Sequence, residues 1–250
     1  MDERGDGDAL VDMLLTQLRA NGPFDEDDLD DGFDIDEWNN GDVIVSVVSS
    51  SANDNFEEGF DFNENDAGDM RVKMLLVAAN GNDEEGIDLE EDDDFAGGGD
   101  LVAEMSFAEA GNNGPGDGDA GTKIREKGDG NLDATLDRVQ TSNNDFDGIQ
   151  IREDANGSLV ASVSRALSTG NDGNGINFDE NRTGNGSSDT EGDLTALVSN
   201  STSTGNTGAG VRADQQIPLG VGSLLLTDVT ALPNTGGATT GSNVTVTVAP

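Results

Sequence analysis

The chain has 250 residues, 12 Lys+Arg against 52 Asp+Glu, and a formal net charge of -40. Nucleic-acid binding needs a basic footprint, so that class of partner is excluded, and an anionic membrane surface is disfavoured on the same ground. With no Cys, His or Tyr, the chain also lacks disulfides, thiolate metal sites and the histidine on which most general-base and Ser–His chemistry rests.

The opening, MDERGDGDAL, carries neither the basic nor the apolar region of a signal peptide. No apolar stretch reaches the ~20 residues of a membrane span. Residues 1–31 read as a partial N-terminal coil or cap. Leu10, Met13, Leu14 and Leu18 fit a short amphipathic helix. Gly7 and Asn21, in contrast, keep the spacing of the repeat that follows, so the segment also reads as a coil entered midway.

From Gly32 one unit recurs: GFDIDE at Gly32, GFDFNE at Gly59, GIDLEE at Gly86, GTKIRE at Gly121, GIQIRE at Gly148 and GINFDE at Gly175. GVRADQ at Gly210 is a seventh copy. Six coils therefore span 32–209, and a last coil with a C-terminal strand spans 210–250. Most copies lie 27 residues apart, and two gaps of 35 hold extra loop residues. Apolar residues one and three places after each glycine, such as Phe60/Phe62 and Ile149/Ile151, predict a strand with one buried face. A second glycine opens another strand in each unit, as in GDMRVKM from Gly68 and GSLVASV from Gly157.

Two polar columns keep the same register. The fifth residue after the first glycine is Glu37, Glu64, Glu91, Glu126, Glu153 and Glu180, then Gln215. Fourteen residues after the second glycine comes Asn55, Asn82, Asn113, Asn144, Asn171 and Asn206, with Asn21 at the same distance from Gly7. A unit of short strands and glycine corners cannot bury its own apolar face, but stacked copies share one core. Composition alone, with 33% apolar residues and 35 glycines, would suggest disorder, and the repeat overrides it. The fold predicted is all-β: a parallel β-helix, or β-solenoid, of about seven or eight coils, right-handed by the strong bias of parallel crossovers.

The stretch from Gly148 to Asn181, GIQIREDANGSLVASVSRALSTGNDGNGINFDEN, followed by GDLTALVSNSTSTGNTGAGV, resembles the coils of right-handed parallel β-helix proteins of the pectin-lyase-like kind. The resemblance covers roughly residues 3 to 230. It implies an extracellular or cell-surface habit and stacked asparagines in the turn. The family holds polysaccharide lyases and hydrolases, adhesins, phage tailspikes and passive surface proteins, so it leaves activity open.

The asparagines are expected to form a structural ladder of stacked amides. The glutamates Glu37, Glu64, Glu91, Glu126, Glu153 and Glu180 either accept turn N–H groups or contact cations between coils. Glu57, Glu58, Glu84 and Glu85, in acidic corners before the next glycine, are further candidate cation contacts. Ca2+ is the expected ion, because it takes six to eight oxygen ligands. No catalytic residue is assigned. Were the chain a polysaccharide lyase, Arg125, Arg152, Asp129 and Asp154 would be its candidates. The function expected is a non-catalytic, acidic and salt-tolerant structural or binding solenoid that self-associates end to end or laterally, into filaments or a surface layer. The alternatives are an adhesin or spike that binds glycans and, last, a lyase or glycosidase.

Overall fold

The computed structural model describes residues 2–3, 10–17, 19–21, 31–38, 41–65, 67–92, 98–115, 118–154, 156–180, 192–215 and 220–249, with the backbone alone at 2–3, 10–13, 15, 16 and 21. Each unit contributes three strands, and each strand pairs in parallel with its equivalents one coil before and one coil after. The result is a parallel β-solenoid of about seven turns.

The first sheet takes the strand after the first glycine of each unit, from Phe33–Glu37 through Ile87–Glu91 and Ile149–Glu153 to Val211–Gln215, flanked by Asp2–Glu3 and Thr239–Ser242. The second takes the strand after the second glycine, from Leu10–Thr16 and Asp42–Val48 through Leu132–Asp137 to Val244–Ala249. The third is built of three-residue strands, such as Ser51–Asn53, Gln140–Ser142 and Thr202–Thr204.

Period-two patterning explains the core. Phe62, Leu89, Ile124, Ile151 and Phe178 point inward from the first sheet, and Met70, Leu101, Leu132, Leu159 and Leu194 from the second. The third sheet faces inward with Ala52, Ala79, Ala110, Thr141, Ser168 and Ser203, whose small side chains let that wall come close. Phe33 stacks on Phe60 with ring centroids 5.1 Å apart, the spacing expected of like side chains on adjacent coils.

Two corners have defined backbones. Between the second and third sheets the chain turns on one left-handed residue: Ser49, Leu76, Phe107, Arg138, Arg165, Asn200 and Asp228 have φ of 50 to 56°. None is glycine, although this region is uncommon for side chains other than Asn and Asp. The second-glycine corner is set by contact. A Cβ on Gly68, Gly99, Gly130, Gly157 or Gly192 would lie 1.4 to 1.7 Å from the carbonyl oxygen of the preceding glycine in the column.

The N-terminal segment differs from the helix considered above. Leu10–Thr16 is a strand, paired in parallel with Asp42–Val48. A helix would leave the N–H and C=O groups of Asp42–Val48 open on that side, and the strand satisfies them. The last residues are also strand, with Val244–Ala249 parallel to Gly222–Thr227.

Candidate functional site

The asparagine column is a continuous hydrogen-bonded ladder. The backbone N–H and side-chain Nδ2 of Asn55 both donate to Oδ1 of Asn82, at 3.0 and 2.8 Å. Asn82 does the same to Asn113, Asn113 to Asn144, Asn144 to Asn171, and Asn171 to Asn206. The second Nδ2 hydrogen finds a carbonyl of the third sheet, as in Asn82 to Ala52, Asn113 to Ala79 and Asn144 to Ala110. The residue before each amide is left-handed, as at Asp54, Gly81, Asn143 and Gly170, and this turns the amide into the interior.

The ladder runs one step past the expected members. Asn206 donates from its N–H and Nδ2 to Oδ1 of Asn234 at 2.8 and 3.0 Å. The fourteen-residue rule applied from Gly220 reaches Asn234 as well. At the other end, the backbone register sets Asn21 opposite Asn53 rather than Asn55. The step between coils is 34 residues at Glu3↔Glu37 but 32 at Asn21↔Asn53, so spacing from Gly7 places Asn21 two residues off the column.

A second ladder lies outside and was not anticipated. The residue after the second glycine accepts the N–H of its equivalent on the following coil: Asp42 from Asp69, Asp69 from Asp100, Asp100 from Asn131, and Asn131 from Ser158, at 3.0 to 3.1 Å. The recurring Gly-Asp, Gly-Asn or Gly-Ser pair is its signal in the sequence.

All six glutamates of the column are buried, each with 0% exposure, and so is Gln215. They stand in strict register, Glu37↔Glu64↔Glu91↔Glu126↔Glu153↔Glu180↔Gln215. Part of their bonding is to turn N–H groups: Oε1 of Glu126 accepts from Gly128 at 2.7 Å, and Oε1 of Glu153 from Gly157 at 3.2 Å. Six charges ~4.8 Å apart would repel by about 3.5 kcal/mol per adjacent pair at an effective dielectric of 20. Burial, contact with Glu91 and the charges of Glu91 and Glu153 push the Glu126 carboxyl up to about 12.

A separate acidic group lies at the corner before the first sheet. Carboxylate oxygens of Asp31, Glu58 and Asp61 lie within 4.8 Å of one another, and so do those of Glu58, Glu84 and Glu85. Glu57 belongs to neither set. Burial pushes Glu58 up to about 11, helped by contact with Asp31 and by the charges of Asp61, Asp31 and Glu84. Asp61 rises to about 8 through burial and the charge of Asp88. Glu85 reaches about 7, burial and Asp88 being offset by Lys123.

Farther along the same face a lysine enters this row. Lys123 lies opposite Asp88, with Nζ 2.6 Å from Asp88 Oδ2 and 3.4 Å from Glu85 Oε1. Burial lowers the lysine's proton affinity, but Asp88 and Glu85 outweigh it and hold the ammonium protonated. Apart from Glu57, the expected cation contacts therefore fall into two places: a row inside the core and a partly buried cluster at the corner before the first sheet.

The residues considered for lyase chemistry are brought together only in part. Arg125 donates from Nε to Asp154 Oδ2 at 2.6 Å, and Arg152 donates from Nε to Asp154 Oδ1. Asp154 is nearly fully buried, and each guanidinium is already fixed on its carboxylate. Asp129 accepts instead from Asn156 Nδ2. Among the described residues no helix is long and apolar enough to cross a membrane. No family model, no curated protein and no solved structure matches the chain.

Proposed function

We propose that the chain is a non-catalytic structural rod of the right-handed, pectin-lyase-like β-helix kind, working outside the cell or on its surface. The observation that supports this best is the amide ladder from Asn55 to Asn234. Each member from Asn55 to Asn206 binds the next coil, and Asn82, Asn113, Asn144 and Asn206 also bind a carbonyl of the wall and Asn171 the Ser168 hydroxyl, which is a construction suited to axial integrity rather than to a reacting group. The arginines a lyase would need are fixed on Asp154, and a guanidinium so paired is poorly placed to take a proton from sugar.

The rod self-associates through its sheet edges. Thr239–Ser242 and Val244–Ala249 are edge strands of their sheets among the described residues, and Val248 is exposed. A parallel strand of a second copy would satisfy the open backbone groups. Calcium at Asp31, Glu58, Asp61, Glu84 and Glu85 is the second part of the proposal, because it would neutralise acids crowded together at a partly buried corner. Electron microscopy of purified protein with and without calcium tests this reading. Rods that join lengthwise are the expected result. Particles that stay single at every concentration and calcium level overturn the assembly reading, and turnover of an acidic polysaccharide overturns the non-catalytic one. A glycan-binding adhesin is the second reading, favoured by an open notch of about 310 Å³ beside the ladder, lined by Asn112, Asn143, Asp145 and Asp172.

A further inference from the structure

The outer face of the second sheet changes character along the rod. Arg71 and Lys73, then Glu104, then Asp133 and Asp137 stand at its outward positions on three successive coils. From Leu159–Ser164 to Val244–Ala249, the outward positions of four successive strands hold no charge. Val160, Thr195, Leu197, Ser223, Leu225 and Thr247 lie there, with Val160 46% and Leu225 39% exposed. Over these coils the first sheet, in contrast, carries Arg152, Asp179, Arg212 and Asp214 on its outer side. In a chain of net charge -40, an uncharged face bearing aliphatic side chains is where a second copy meets least repulsion.

The corner beside this face supplies charges that match each other. Arg165, Asn200 and Asp228 occupy its left-handed position on successive coils, and all three are exposed. Arg165 shares Asp137 with Arg138, and Asp228 has no ion-pair partner among the described residues. A second copy turned by 180° about the strand direction at Asn200 runs antiparallel, and each column then faces itself with the coil order reversed. Arg165 meets the partner's Asp228, and Asp228 meets the partner's Arg165. Leu197 faces its own equivalent, and Leu225 covers Ser162. Asp133 and Asp137 fall opposite the uncharged strand Val244–Ala249. Asp193, whose Oδ1 accepts the Val221 N–H, is an exposed acid brought near its own equivalent. About five coils at ~4.8 Å and six residues at ~3.3 Å cover about 500 Å² on each copy, which reaches the ~1,000 Å² total of a specific interface.

We propose that this uncharged face, with Arg165 and Asp228 at its margin, pairs two copies side by side and antiparallel about a two-fold axis at Asn200. The pairing goes beyond the lengthwise joining proposed above, which uses strand edges, and leaves those edges open.

The chain has no cysteine, so single thiols report the pairing. In molar NaCl, where screening relieves the net charge, N200C should cross-link to its own copy through a bismaleimide matched to the ~10 Å between packed sheets. R138C should not, because its two copies lie four coils apart, ~19 Å along the rod. Sedimentation of the wild type should show a dimer that V160D/L225D abolishes. R165D or D228R should weaken it about tenfold, the swap R165D/D228R should restore it, and D193S should strengthen it. Should V160D/L225D fail to fold, the exposed corner variants and N200C decide. A wild type that stays monomeric at every concentration overturns the proposal, as does absent cross-linking at N200C, equal cross-linking at R138C, or failure of the swap. Lengthwise rods that persist once V160D/L225D has lost the dimer support it, since the two contacts are then separate.

Discussion

Asn144 donates from Nδ2 to Oδ1 of Asn171 at 2.9 Å and to the carbonyl of Ala110 at 3.2 Å, while its own Oδ1 accepts two N–H groups of Asn113. One buried amide thus ties three successive coils together. N144A would leave these partners buried and unsatisfied, each at about 1–3 kcal/mol. We expect a loss of about 3 kcal/mol or more in urea unfolding. N234A, at the partly buried end of the ladder, should cost about 1 kcal/mol.

The second-glycine column separates steric from conformational demands. A Cβ on Gly130 would lie 1.7 Å from the carbonyl oxygen of Gly99, so backbone would have to move. At Gly205 the nearest atom is 3.7 Å away, and only the φ of 73° resists. G130A should therefore abolish soluble folding or cost more than about 4 kcal/mol, whereas G205A should cost about 1–2 kcal/mol. Melting temperatures of the two variants against wild type check the order.

Stability should fall as pH rises. In metal-free protein, Glu58, Asp61 and Glu85 titrate near 11, 8 and 7, against ordinary values of 4.5, 3.8 and 4.5. A carboxyl raised in the fold keeps a proton that the unfolded chain has already released. Its contribution is fully present below about pH 4 and is lost as pH rises through the folded value. Thermal melts in EDTA should show the highest midpoint near pH 4.5 to 5 and a decline of several degrees by pH 8. The quenched variant E58Q/D61N/E85Q should flatten that decline.

Calcium should reverse part of this loss. Metal ligands must be deprotonated, so calcium binding at Asp31, Glu58 and Asp61 should release protons and raise the melting midpoint more at pH 8 than at pH 5. E58Q removes the residue shared by both acidic sets and should abolish the calcium effect while leaving stabilisation by molar NaCl, which acts through screening. Calorimetry with calcium titrant, run in two buffers of different ionisation enthalpy, measures the proton release.

Lys123 serves as an internal cation for Asp88 and Glu85. K123M should destabilise the protein by about 2–4 kcal/mol at pH 7, because it strands two largely buried carboxylates. At pH 4.5 the loss should shrink, since Glu85, raised to about 7, then carries a proton. Urea unfolding at the two pH values gives the comparison.

The glycine, glutamate and asparagine columns were legible because each is dictated locally: a corner too tight for a Cβ, an alternating strand, an amide at a left-handed turn. The turn at Leu76, Phe107 and Arg138 was not legible, since its column holds no glycine and asparagine only at Asn200. Asn234 escaped notice because its coil replaces the usual first glycine with Ala238, although the rule from Gly220 still holds. That the glutamates share one column was legible from their spacing, whereas their direction and chemistry were not, because these depend on neighbours 27 to 35 residues away. The same distance hides the surface cluster: Asp31, Glu58 and Glu85 share one face only after the coils have stacked.

The unequal coils carry a last consequence. From first glycine to glutamate, and from second glycine to asparagine, the residue count never varies, whereas the links after Glu91, Asn113 and Glu180 are longer than their equivalents elsewhere. The columns on either side of those links stay in register nonetheless. Each coil is thus two arms of fixed length joined by two adjustable hinges. Foreign peptides inserted at a hinge would be displayed along the rod at known coil positions, whereas one residue added within an arm would turn every later side chain of that strand inside out.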